Sequence, residues 1–455
     1  MVDGWLARAA AARPGHPAVE THAGSLSYEQ LHADAREGAA ELTGFGASPG
    51  TRVGIALPAG LDFARALHAC LLLGVAVVPI DPRLSEAESE QVRRGCGIVL
   101  EEPLPAAPGG AGGRGPRAGG HDLDATALVM HTSGSTAAPK EVELTYGNLL
   151  WSALGSAVAL GAPAEERWLC AMPLSHMGGL SILIRSAIYA TTAVVHEGFE
   201  RDAVLHSLRE ERVTVVSLVA TTLKRLLDAG LERVSGLRCV LLGGGPVSPS
   251  LLRRAREAGV PAALTYGLTE ACSQVATVPA ASVSGQVPRP AAAPPLFCTR
   301  VQIAADDEIL VRSPTVAPGA LADDGWLHTG DLGELDRDGW LSVLGRRAET
   351  IISGGENVAP AEVESVLESH PLVLEAGVFG VPDEQWGEAV SAVVVLRPRD
   401  GSGAGVSPDQ AGGVEELRAH CARALAPYKV PKRISLSPTP LPRTRSGKLL
   451  RRELG

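Results

Sequence analysis

Lysine is scarce in this chain: of 41 lysine and arginine residues only five, at positions 140, 224, 429, 432 and 448, are lysine. Positive charge is not in excess either. The formal net charge is -10, which argues against a general nucleic-acid partner, because phosphate backbones are met by a basic face. The seven cysteines, at 70, 96, 170, 239, 272, 298 and 421, contain no Cys-x-x-Cys pair. Neither a disulfide framework nor a zinc site is indicated, and a reducing, cytoplasmic compartment is expected. No run reaches the roughly 18 apolar residues of a membrane span. The N-terminus, Met-Val-Asp-Gly-Trp-Leu, lacks the basic start and apolar core of a secretion signal. No internal repeat is visible, so a soluble, non-repetitive protein is expected.

What is present is a chain of 455 residues, 45% of them apolar, enough to bury a large core in more than one domain. Residues 1–100 alternate helix-like stretches (28–42, 62–73) with short strands (52–57, 75–80), which is α/β patterning. Residues 101–120 are so rich in proline and glycine that they predict a connector without chemistry. From 126 the alternation resumes, with strands expected at 191–196, 213–218, 238–242 and 262–264. After 281 the pattern turns to short strands (299–304, 308–312, 340–344) joined by tight turns, a small β subdomain. A last unit from about 351 predicts a helix at 361–368, strands at 376–381 and 389–396, a Gly/Ser linker near 401–406 and a helix at 414–425.

Five stretches carry chemistry. The first, residues 131–142, reads H-T-S-G-S-T-A-A-P-K-E-V and is expected to be a loop between a strand and a helix over 145–160. Its hydroxyls, Thr132, Ser133, Ser135 and Thr136, crowd around Gly134 with Lys140 just beyond, a donor set suited to phosphate oxygens. It is not the Walker pattern, since Pro139 stands where the second glycine belongs. The second, Gly243-Gly244-Gly245-Pro246 after an apolar strand, lets a flat ring approach the backbone, although taken alone it reads first as a tight turn. The third, Tyr266-Gly267-Leu268-Thr269-Glu270, offers an aromatic face, a hydroxyl and a carboxylate within five residues, or a helix-terminal acid and nothing more. In the fourth, Thr329-Gly330-Asp331, a carboxylate at a glycine turn can accept both hydroxyls of a ribose. The last begins at Gly345-Arg346-Arg347, passes through I-I-S-G-G-E-N and ends in a tail that presents Lys448 on a Ser-Gly turn. A compact ammonium reaches into such turns where a guanidinium does not fit.

In this order and spacing the stretches resemble the ANL superfamily of adenylate-forming enzymes, over essentially the whole chain. The resemblance implies an α/β fold with a large, multi-subdomain N-terminal adenylate-forming domain and a small mobile α+β C-terminal domain. It divides the chain into an N-terminal domain over 1–344 (with the β subdomain at about 297–344), a hinge over 345–350 and a C-terminal domain over 351–455. By the same resemblance Thr132, Ser133, Gly134, Ser135, Thr136 and Lys140 hold the β- and γ-phosphates of ATP. Gly244, Gly245 and Tyr266 flank adenine, Thr269 touches the α-phosphate, Glu270 holds Mg²⁺, and Asp331 and Arg346 bind the ribose. Lys448 bridges carboxylate and α-phosphate during adenylation, while Gly354 and Gly355 line the pantetheine tunnel for coenzyme A. Three positions depart from the family pattern: Ala137 and Glu141 replace glycines, and Glu349 replaces a hinge aspartate. Glu141 brings negative charge close to a phosphate loop.

Within the superfamily, the segment 173–181 (P-L-S-H-M-G-G-L-S) with Arg185 resembles the branch that ligates o-succinylbenzoate to coenzyme A in menaquinone biosynthesis. That branch implies an acyl pocket containing His176, Ser181, Arg185 and Gly267, with His176 shaping and gating it, and the partners are then a small aryl or acyl acid, ATP and coenzyme A. Ligation of another acid, or loading of a carrier protein, is the alternative, and homo-oligomerisation is left open. Arg185 stands in an apolar helical stretch, where a charge needs a partner: a second substrate carboxylate, a protein acid, or solvent reached by snorkelling. Lys224 and Lys432 carry no expected role.

Overall fold

Short, continuous apolar runs form the central strands. Val215–Leu218 and Cys239–Leu242 are buried along their whole length, as strands covered on both faces must be. The structure is a computed structural model that describes residues 1–108, 120–132, 140–282, 292–353, 356–383, 386–397, 411–444 and 449–454. In it those two strands belong to an eight-stranded sheet. Its order is Ser273–Thr277, Ala262–Leu268, Cys239–Leu242, Val215–Leu218, Arg167–Cys170, Thr192–Val195, Pro17–Thr21 and Gly24–Ser27, parallel except at its two ends. A five-stranded sheet runs Ile98–Leu100, Arg52–Ile55, Ala76–Pro79, Thr126–Thr132, Lys140–Thr145, again with one antiparallel pair at the edge.

Helices fill the space between these sheets. Tyr146–Leu160 starts at a reciprocal cap, in which Thr145 Oγ1 accepts from the Asn148 amide at 3.1 Å and Asn148 Oδ1 accepts from the Thr145 amide at 2.9 Å. Met177–Tyr189 is apolar almost all round and is correspondingly buried. One core cluster joins the sheets and helices through Ile55, Val77, Leu149, Leu180, Leu183, Val215 and Leu241, and extends to Ile309 and Val311. Each fully buried leucine there contributes about 1.5 to 3 kcal/mol of transfer free energy.

The β subdomain is an antiparallel sheet ordered Ala292–Ala293, Leu341–Arg346, Leu327–Leu335, Glu308–Arg312, Arg300–Ile303. The chain then builds a further sheet from Glu356–Val358, Ile351–Ser353, Gly387–Leu396 and Val373–Asp383, with Arg433–Ser437 alongside Gly387–Leu396. Helices Pro360–Glu368 and Ala411–Ala424 are associated with it, and its core of Ile351, Val363, Leu367, Val378, Val390, Val394 and Leu417 is separate from the large one.

Three sequence expectations are corrected. Residues 131–142 do not lead straight into a helix, because Lys140–Thr145 is a strand that pairs back on Thr126–Thr132, with Thr132 opposite Lys140. The period-two alternation of Val142 and Leu144 (inward) with Glu141 and Glu143 (outward) is the reason. The strand expected at 262–264 continues to Leu268, so Tyr266 and Gly267 sit inside it, at a bulge, rather than after it. Asp331 likewise lies within the strand Leu327–Leu335 at an irregularity of pairing.

Candidate active site

Strands, the turns that follow them and the helix Met177–Tyr189 deliver the side chains of the site. Leu242 lies opposite Leu264 in the parallel pair, so Gly244 and Gly245, just past one strand end, stand beside the stretch carrying Tyr266. Tyr266 Oη donates to Asp331 Oδ2 at 2.8 Å, and Arg346 Nε lies 3.1 Å from Asp331 Oδ1. Residues 65 and 15 positions from Asp331 thus meet on its carboxylate. Asp331 is 5% exposed, and its strand position is directly opposite Arg346. Burial, followed by the adjoining Asp331 charge, raises the Tyr266 phenol well above its ordinary value and keeps it a donor.

After Leu268 the chain makes a short 3₁₀ turn over Thr269–Ala271 and doubles back. The Ala317 amide donates to the Glu270 carbonyl at 2.8 Å, and Asn148 Nδ2 donates to the carbonyls of Pro314 and Val316, so the segment that holds this turn is itself held by Asn148. The strand Lys140–Thr145 packs against the same turn, which brings its hairpin with Thr126–Thr132 close to Thr269 and Glu270. Glu270 is half-buried, and its carboxylate takes no hydrogen bond or ion pair among the described residues. No group of three or more His, Cys, Asp or Glu side chains among the described residues could cage a metal. A single free acid fits Mg²⁺, which is usually held by one or two carboxylates and the phosphates of a nucleotide.

Thr132 Oγ1 donates to the Lys140 carbonyl at 3.3 Å, and Lys140 is exposed at the start of its strand. Ser133, Gly134, Ser135, Thr136, Gly354, Gly355 and Lys448 lie outside the described residues. Glu141 is not an unbalanced charge: Arg52 donates to it at 2.9 Å and to Glu143 at 2.6 Å. Glu349 is engaged as well, by Arg451, whose guanidinium also grips Glu364 through two bonds of 3.1 and 2.9 Å.

Of the residues expected in the acyl pocket, His176 is exposed at the N-terminus of Met177–Tyr189. Ser181 and Arg185 follow on the same helix, one turn apart, both buried. Arg185 is 2% exposed, which excludes snorkelling, and among the described residues no carboxylate pairs with it. Its Nη2 donates to Ser152 Oγ at 3.0 Å and its guanidinium carbon lies 5.8 Å from the centre of the Trp168 ring, while among the described residues neither its Nε nor Ser181 Oγ has a partner. Burial lowers the pKa of Arg185 from its ordinary value. Gly267 is obligatory on sterics alone: a Cβ there would stand 1.6 Å from the Ser273 carbonyl oxygen.

Profiles of two families match the chain: the AMP-binding enzyme family over residues 6–100 and 101–321, and the AMP-binding enzyme C-terminal domain over 362–448. The chain belongs to the AMP-binding enzyme family. The resemblance to adenylate-forming enzymes, with a large N-terminal and a small C-terminal domain, is therefore borne out. This AMP-binding enzyme is 39% identical to the 2-succinylbenzoate–CoA ligase of Bacillus licheniformis, over 99% of this chain and 98% of the relative. Two solved structures of o-succinylbenzoate CoA synthetase from Bacillus subtilis superpose closely. The complex with the acyl-adenylate intermediate gives a TM-score of 0.86 at 36% identity, covering 99% of this chain and 98% of that one. The complex with ATP and magnesium ion gives 0.85 at 36% identity, covering 99% of each.

Sequence reasoning missed Arg52, Asn148 and Ser152, which hold the strand Lys140–Thr145, the segment 314–316 and the Cys272 carbonyl. Ser152 carried a faint signal, a hydroxyl in the apolar helix Y-G-N-L-L-W-S-A-L-G-S, where small polar residues need partners. Arg52 carried none, since its acids lie about 90 positions away.

Proposed function

We propose that this AMP-binding enzyme is an ATP-dependent ligase that joins o-succinylbenzoate to coenzyme A, acting in the cytoplasm. The observation that carries the substrate reading is the buried Arg185 guanidinium, which lies one helical turn from the Ser181 hydroxyl, neither of them meeting a protein acid among the described residues. o-Succinylbenzoate has two carboxylates. With the succinyl carboxylate activated, the ring carboxylate is left for Arg185, with Ser181 beside it and His176 at the exposed end of the helix.

In the first step a carboxylate oxygen attacks the α-phosphorus of ATP, forming the acyl–phosphate bond as the bond to pyrophosphate breaks. In the second the coenzyme A thiolate attacks the acyl carbon and AMP leaves. Both steps bring anions together, so positioned positive charge and donors matter more than proton transfer. Thr132, Ser133, Gly134, Ser135, Thr136 and Lys140 hold the β- and γ-phosphates, and Thr269 meets the α-phosphate. Gly244, Gly245 and Tyr266 flank adenine. Asp331, braced by Tyr266 and Arg346, takes the ribose hydroxyls. Glu270 would hold Mg²⁺, which when bound neutralises phosphate charge. Lys448 bridges the attacking carboxylate and the α-phosphate, and Gly354 and Gly355 line the path of the coenzyme A thiol.

ATP/pyrophosphate exchange over a panel of acids, followed by a test of coenzyme A dependence, checks the reaction. Arg185→Ala checks the substrate: losing one partner of a buried charge pair costs roughly 2 to 5 kcal/mol, or about one and a half to three and a half decades in kcat/KM. That loss is expected with o-succinylbenzoate and not with the monocarboxylate 4-phenyl-4-oxobutanoate. An equal loss on both acids would assign Arg185 to packing.

A further inference from the structure

The turn that presents Thr269 and Glu270 is strained. Cys272 has φ 53° and Ser273 has φ 95°, two consecutive left-handed residues that are not glycine. Such conformations cost about 1 to 3 kcal/mol each and persist where surrounding contacts over-determine them. Part of that constraint is close packing, because the Ser273 carbonyl lies against Gly267, where no side chain fits. A second part is directional. Ser152 Oγ donates to the Cys272 carbonyl at 2.7 Å, inside the core, with Ser152 itself 2% exposed. A serine hydroxyl has one proton to give, and it goes to Cys272, so the bond from Arg185 Nη2 at 3.0 Å enters through an oxygen lone pair. Accepting from a guanidinium polarises the hydroxyl and strengthens its donation. Arg185 and the turn behind Glu270 are thus joined through one oxygen atom.

We infer that Ser152 is a positioning residue: it holds the Cys272 carbonyl in its strained place and so fixes the Glu270 carboxylate where Mg²⁺ and the nucleotide phosphates meet it. This rests on Glu270 being the magnesium acid. Without the hydroxyl, the Cys272 carbonyl loses its partner in a dry site, the left-handed turn relaxes, and Glu270 samples positions away from the metal. Nothing in this arrangement requires Ser152 to touch a substrate.

The test is the Mg²⁺ dependence of ATP/pyrophosphate exchange in Ser152→Ala, Glu270→Gln and the double variant. Ser152→Ala should raise the half-maximal Mg²⁺ concentration roughly tenfold, the effect of one lost buried hydrogen bond, and should add nothing once Glu270 is glutamine. If Glu270→Gln leaves the Mg²⁺ dependence unchanged, the metal reading of Glu270 fails. If Glu270→Gln shifts it but Ser152→Ala only lowers the maximal rate, or shifts it equally in both backgrounds, Ser152 is structural and the inference is overturned. Should the alanine variant not accumulate as folded protein, Ser152→Cys, with nearly the same volume and a weaker donor, carries the same comparison and should fall between.

Discussion

Among single residues, Tyr266 has the clearest separable role. Its hydroxyl donates to Asp331, a carboxylate that is nearly inaccessible, and a hydrogen bond to a charged acceptor contributes about 1.5 to 3 kcal/mol. In Tyr266→Phe the ring remains beside the glycines and only the brace on Asp331 is lost. The KM for ATP should therefore rise by roughly tenfold or more while the maximal rate changes little, as steady-state kinetics with ATP varied will show. A larger fall in kcat than rise in KM would mean that the phenol acts on the reacting phosphate instead. Residue types were legible here without the structure: an aromatic, an acid and an arginine in separate motifs suggested a nucleoside site. That Tyr266 and Arg346 meet on the same carboxylate was not legible, because it depends on the register that sets Asp331 opposite Arg346.

Among the elements, the hairpin Thr126–Thr132 and Lys140–Thr145 shows what composition hides. Read as a loop, Glu141 looked like a charge misplaced near phosphates. As an outward strand position it shares Arg52 with Glu143, and one guanidinium serves two carboxylates. Arg52→Ala should release both, and uncompensated negative charge beside the hairpin should raise the KM for ATP by about two- to fivefold, within the range of exposed ion pairs. Added salt should remove most of the difference, since exposed charges are screened beyond about 8 to 10 Å at moderate ionic strength. Measuring KM across a salt series checks this; a salt-independent change would point to a distorted hairpin. Strands with β-branched runs and helices with caps could be placed from the sequence within a few residues. The edge strand could not, because its two lone apolar positions, Val142 and Leu144, give too short an alternation to outweigh the helix expected next.

In the whole molecule, the relation of the C-terminal unit to the rest turns on a lysine to which the sequence assigned no role. Lys224 Nζ donates to the Leu374 carbonyl of the C-terminal unit and faces Glu368, the last residue of Pro360–Glu368. Burial is the leading influence on both. It lowers Lys224 and pushes Glu368 up to about 7, despite the attraction between them. A carboxyl raised in the docked state is protonated there while its separated counterpart ionises. Docking is therefore fully supported below the ordinary carboxylate range and loses support as pH rises through about 7. Small-angle scattering from about pH 5 to about pH 8 should show the average dimensions increasing with pH, and Glu368→Gln should flatten that dependence. An identical profile in both proteins would exclude Glu368 as its origin. The division into units could be read from the sequence, since linker composition and changes of pattern mark it. Which side chains cross between the units could not, because Lys224 and Leu374 are 150 positions apart.

All seven cysteines are free, and five of them are buried. Burial pushes Cys70, Cys170, Cys239 and Cys272 up to about 12, and Cys421 to about 11. Near neutral pH these sulfurs carry almost no thiolate, the form that attacks disulfides. A ligase whose co-substrate is itself a thiol works among that thiol's oxidised forms, and mixed disulfides with its own core would be a standing hazard. Packing five sulfurs into the interior makes the core a poor exchange partner, so capture of oxidised coenzyme A is confined to the two partly exposed thiols, Cys96 and Cys298.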